Sequence, residues 1–156
     1  MARPQRYPHR PLADLQPVPP WTSVWPGSIP AAILGDLPFA VGSVTLDIPE
    51  SVVPRDATGI LVFAWAILRG ANPDAAYWHI ASAAAGASAN WFSLLIAGDP
   101  AGNGTVCNSQ AFWLPAPADR SLVVTLNAHD LPSSTNEGKV EIHGFYRGID
   151  PRRTSA

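Results

Sequence analysis

The stretch GILVFAWAILR, Gly59 to Arg69, decides the fold. Read with a period of two, it sets Leu61, Phe63, Trp65 and Ile67 on one face and Ile60, Val62, Ala64, Ala66 and Leu68 on the other. Both faces are apolar, which predicts a central strand covered on both sides, with Trp65 in the core. A helix competes for such a run, but the β-branched and aromatic content and the turn at Gly70 to Asp74 favour a strand. The apolar part, Gly59 to Leu68, is about half as long as a membrane-spanning helix requires, so no membrane insertion is expected.

Working toward the C-terminus, further strands follow at regular spacing. AYWHIAS (Ala76 to Ser82) and NWFSLLIAG (Asn90 to Gly98) flank the small-residue loop AAAGASA. GDPAGNG (Gly98 to Gly104) is a turn: it lacks the GK[ST] and the following helix that phosphate binding needs. Thr105 to Leu114 reads as one bent strand or two short ones. RSLVVTLNA (Arg120 to Ala128) turns Leu122, Val124 and Leu126 inward, and GKVEIHGFYR (Gly138 to Arg147) turns Val140, Ile142 and Gly144 inward with Lys139, Glu141 and His143 outward. Upstream, AVGSVTLDI (Ala40 to Ile48) alternates in the same way and stops at Pro49. Seven or eight strands without an amphipathic helix predict an all-β, antiparallel β-sandwich, with jelly-roll topology as first choice.

Eight of the 17 prolines fall within the first thirty residues. Proline fixes φ and donates no backbone hydrogen bond, so this segment can form neither a long helix nor a central strand. It nevertheless carries Tyr7, Leu12, Leu15, Trp21 and Trp25, which a free linker would lack. The expected organisation is therefore an extended Pro-rich arm over residues 1–38, a sandwich over 39–148 and a polar tail over 149–156. Arg3, Arg6 and Arg10 supply charge, and Trp21 and Trp25 supply apolar anchors, for attachment of the arm to a partner.

Composition narrows the function. The 156 residues are 47% hydrophobic and 14% charged, with nine arginines, one lysine and twelve acids for a net charge of −2. Globular proteins carry about 25% charged residues, so much of this surface is expected to be neutral or covered by partners. No basic face for nucleic acid is expected. Cys107 is the single cysteine, so an intrachain disulfide framework is excluded, and a buried, inert thiol is expected there. The opening MARPQRYPHRP has no apolar segment of the secretory kind, which places synthesis and assembly in the cytoplasm.

No catalytic constellation stands out. His9, His79, His129 and His143 show no metal-ligand spacing, so no metal or other cofactor is expected. Ser109 or Cys107 could be grouped with His129 and Asp130, but there is no GxSxG elbow, and Asp130 is expected to bond local backbone at a strand end. Of the six tryptophans, Trp113 suits the core or an interface. Tyr77 and Trp78 lie on opposite faces of one strand, so one of them looks outward. An outward Trp78, together with Trp91, Asn90 and Asn103, would make a sugar platform by ring stacking and directional hydrogen bonds.

VCNSQAFWLPAPADRSLVVTL (Val106 to Leu126) and GKVEIHGFYRG (Gly138 to Gly148) resemble, in layout, small jelly-roll modules that form spikes, fibres and decorations on phage heads and gene-transfer-agent particles. The resemblance covers Phe39 to Gly148 and carries over no site residue. It implies a non-enzymatic structural protein of a virion or phage-like particle, homo-oligomeric, anchored to a capsid or other particle protein by the Pro-rich arm, and able to aid attachment to a host-surface polysaccharide. A soluble, lectin-like carbohydrate-binding module is the alternative, and a metal-dependent cupin-like enzyme is a third.

Overall fold

The computed structural model describes residues 21–24, 30–70, 74–82, 90–99, 104–131 and 135–148, and the side chains of 30–70, 74–82, 90–99, 104–131 and 135–147. Among these residues nine strands run in chain order: β1 (Trp21–Val24), β2 (Ala32–Asp36), β3 (Gly42–Asp47), β4 (Gly59–Arg69), β5 (Ala76–Ser82), β6 (Asn90–Ile96), β7 (Thr105–Pro115), β8 (Ser121–Leu126) and β9 (Glu137–Gly148). No helix among the described residues is long and apolar enough to cross a membrane.

The strands form two antiparallel sheets. One has the order β2-β9-β4-β7, with β1 also paired to β9, and the other has the order β3-β8-β5-β6. Four pairs are nested in sequence: β2 with β9, β3 with β8, β4 with β7 and β5 with β6. A long hairpin rolled up on itself gives that nesting, and it is the jelly-roll topology expected from the strand spacing.

Alternation explains the core. Ile60, Val62, Ala64, Ala66 and Leu68 of β4 meet Trp78, Ile80, Phe92, Leu94, Leu122, Val124 and Leu126 of the opposite sheet, all essentially shut off from solvent. The other face of β4 departs from the sequence reading. Leu61, Phe63, Trp65 and Ile67 are only half-buried, because among the described residues no third layer covers the five-stranded sheet. Trp65 is thus an outer-face residue and not a core one.

Of the two expectations for Thr105–Leu114, the structure shows a single strand, β7, paired with β4 along its full length. Phe112 on this edge stacks on Phe92 at 4.5 Å, and Asn108 Nδ2 donates to the Leu95 carbonyl at 2.6 Å, so the two sheets close against each other there. At the other end, Ser82 Oγ donates to the Pro115 carbonyl.

The segment read as an arm contributes to the sandwich. β1 pairs with Phe145–Gly148 and β2 with Lys139–Ile142, so two short strands share one edge of β9. Leu37 is buried between the sheets. Among the described residues strand pairing begins at Trp21, so the boundary expected at residue 38 falls inside the folded unit. Proline still sets the limits, because both strands are short and lie at a sheet edge.

β9 carries the irregularity that matters most. Leu61 faces Gly144 while Val62 faces Ile142, so His143 is an extra residue on β9 at a β-bulge. Val140 and Ile142 point inward as expected, but the bulge reverses the alternation beyond them. Phe145, not Gly144, then turns toward the core. On the outer side the Tyr146 ring lies across Gly59, so a Cβ at this position would require the ring to move.

Candidate functional site

The outer face of the five-stranded sheet holds a polar cluster that alternation alone does not reveal. Glu141 on β9 is 8% exposed although it points away from the core. Its Oε1 accepts the Trp65 indole N–H at 2.9 Å, and its Oε2 lies 2.9 Å from His143 Nε2. The His143 ring stacks on Phe63, with centroids 4.6 Å apart and planes 22° from parallel. β4 supplies Phe63 and Trp65, and β9 supplies Glu141 directly opposite Phe63. The bulge supplies His143, which is how a one-residue insertion re-aims a side chain. A carboxylate removed from water needs hydrogen-bond partners, and here both its oxygens have them. The arrangement fixes the plane of the Trp65 indole.

Beside this cluster lies a groove of about 490 Å³, lined by Asp36, Phe39, Trp65, Asn136, Glu137 and Lys139. Its charged groups are paired: Lys139 Nζ with Asp36 Oδ1 and Arg69 with Glu137 Oε1, each at 2.8 Å. The Asp36 carboxylate raises the Lys139 pKa above the ordinary lysine value, by hydrogen bonding first and by charge second. Asn136 Oδ1 accepts the Arg69 backbone N–H at 3.0 Å, which fixes its amide at the groove wall.

The outer face of the four-stranded sheet is different in kind. The register brings Tyr77, His79 and Ala81 of β5 beside Trp91, Ser93 and Leu95 of β6, and beside Val123 and Thr125 of β8. Trp91 is 59% exposed, with one face stacked on His79 at 4.5 Å, and Tyr77 leans on His79 at 5.4 Å. Ser43 and Thr125 hydroxyls share a hydrogen bond of 2.7 Å. Of the residues that alternation turns outward on these four strands, Asp47 is the sole carboxylate and no lysine or arginine is present.

The residues singled out from sequence are dispersed. Trp91 is exposed, and Asn90 starts the same strand, also exposed. Trp78 is corrected: it is fully buried, its Nε1 donates to the Pro38 carbonyl at 2.7 Å, and Phe39 packs edge-on against it at 6.1 Å. No ring face is left for a sugar. Its alternation partner Ile80 held the signal, since Trp78 and Ile80 share one face and Tyr77 and His79 the other. Asn103, Arg3, Arg6, Arg10 and Trp25 lie outside the described residues, and of Trp21 only the backbone, opening β1, is described.

Cys107 is exposed on β7, not buried, because it shares the outer face with Ile67. Trp113 is 44% exposed on that face and leans on Tyr146 at 5.1 Å, so it is not a core residue. Asp130 Oδ1 accepts the Val41 N–H at 2.6 Å, 89 residues away, instead of capping its own turn. Cys107 and Ser109 belong to the five-stranded sheet, whereas His129 and Asp130 follow β8 of the other. Among the described residues no group of three or more His, Cys, Asp or Glu side chains could hold a metal ion.

Comparison with known proteins gives no family whose model matches this chain, and no curated protein matches it.

Proposed function

We propose that this protein is a non-enzymatic structural component of a virion or phage-like particle, acting as a homo-oligomer held to a capsid or other particle protein by its Pro-rich N-terminal segment. The supporting observation is the outer face of the four-stranded sheet. Trp91 at 59%, Leu95 at 52% and Val123 at 40% exposure share a broad surface with hydroxyl groups and almost no charge. Interface centres are depleted in charge and enriched in aromatic rings, and a second copy of the chain is the occupant that fits. Residues 1–20 carry the arginines of the attachment element.

Light scattering tests this on the full chain, on Trp91→Glu and on a chain beginning at Trp21. Truncation at Phe39 would remove β1 and β2 and so would not separate attachment from folding. A defined wild-type oligomer that dissociates with Trp91→Glu supports the reading. A monomeric wild type at micromolar concentration overturns it. Loss of particle binding from the chain beginning at Trp21, with its mass unchanged, supports the anchoring role.

Carbohydrate binding is the second reading. It is favoured by aromatic rings and planar polar side chains gathered at one groove.

A further inference from the structure

We infer that the groove beside Trp65, and not the face bearing Trp91, is a binding site for neutral saccharide; this rests on the carbohydrate-binding reading and gives it a location. Four observations converge. The volume of about 490 Å³ lies within the range of roughly 300–1,000 Å³ common to small-molecule sites. The groove combines two aromatic rings, Phe39 and Trp65, with one amide, two carboxylates and one ammonium group. Sugars ask for that combination: C–H faces for rings, and adjacent hydroxyls for groups that donate and accept.

Electrostatics selects the neutral class. Asp36 is paired with Lys139 and Glu137 with Arg69, so two carboxylates are balanced by two cations. A strongly charged ligand would find no excess of opposite charge there. A neutral polyol can bond to their remaining donors and acceptors with the pairs intact.

Preorganisation separates Trp65 from an ordinary surface tryptophan. Its indole N–H is held by Glu141, which is held by His143, which stacks on Phe63. A ring fixed before binding loses little freedom when a ligand arrives. Glu141 and His143 are positioning residues in this account, and Trp65 is the contact residue.

The test uses the full chain labelled with ¹⁵N and a panel of cello-, manno-, xylo- and chito-oligosaccharides. Tryptophan indole N–H resonances are followed, with those of Trp65 and Trp91 assigned from Trp65→Phe and Trp91→Phe. One panel member should shift the Trp65 resonance. Affinity should fall about tenfold or more in Trp65→Ala and in Asn136→Ala, each first shown folded by circular dichroism because Asn136 also bonds the Arg69 N–H and the Leu131 carbonyl, and should hold in Trp91→Ala. Glu141→Gln keeps an acceptor for the indole, so it should bind more tightly than Glu141→Ala when both are measured at a temperature where each is folded. Binding that shifts Trp91 and survives both Trp65→Ala and Asn136→Ala overturns the location but leaves carbohydrate binding standing. A panel that binds nowhere overturns both.

Discussion

The two outer faces of the sandwich solve one problem in opposite ways. Among the described residues each sheet has one side in the core and one side without a covering layer. The five-stranded sheet places a carboxylate, an imidazole and an indole there and joins them through hydrogen bonds, so that Glu141 is only 8% exposed on a surface. The four-stranded sheet leaves its large ring at 59% exposure, stacked on one neighbour. The first face is organised internally and has a groove with charged groups at its edge. The second is broad and nearly uncharged. A face whose polar groups satisfy one another suits a small ligand that must find fixed partners. A face of exposed apolar rings gains most by meeting another apolar surface.

Replacing Glu141 by alanine should have the largest effect on stability. It leaves the Trp65 N–H and the His143 ring without their shared acceptor, and about 2–3 kcal/mol of stability should be lost in urea unfolding. A loss below about 0.5 kcal/mol would mean that the cluster is no more organised than the opposite face. Phe63→Ala should follow at about 1–2 kcal/mol, since it removes a half-buried ring and the stacking that orients His143. On the opposite face, Trp91→Ala should cost less than about 1 kcal/mol while reducing self-association, because its ring contacts little beyond His79. Equal stability losses for Phe63→Ala and Trp91→Ala would erase the contrast. The smallest effect belongs to the Asp36–Lys139 pair at the groove edge: Lys139→Met should leave the melting temperature unchanged at neutral pH, as expected for an exposed ion pair. The folded-state pKa of Lys139 is raised, so whatever stability the pair contributes is present below the ordinary lysine pKa and is lost as pH rises through the raised value. Melting curves of wild type and Lys139→Met should therefore approach each other above pH ~10.5 if they differ at all.

The strands from β3 onward were legible because their signals are local. Gly59–Arg69 and Ala76–Ser82 have the ends that the sequence predicts, as turn residues bound a run of apolar or alternating side chains. β1 and β2 were not legible. Their proline-rich surroundings argue against strands, and they exist because β9 is long enough to pair with both along one edge. The candidate site was half legible. Glu141 and His143 fall on the polar face of β9 by alternation, yet that same rule makes them exposed residues. Their burial comes from Trp65 and Phe63, more than seventy residues away, through a pairing register that no local pattern encodes.

Composition and alternation by themselves determined the class of fold, the positions of seven strands and the inward sets of β8 and the first half of β9. Hydrophobic burial depends on which side chains share a face, and a period of two is written in the chain. Tertiary structure alone decided which face of β4 enters the core, that Cys107 is outside, and that Trp65, Glu141 and His143 meet. Those outcomes depend on register and on one extra residue in β9, and a shift of a single residue in strand pairing exchanges every inward side chain for an outward one.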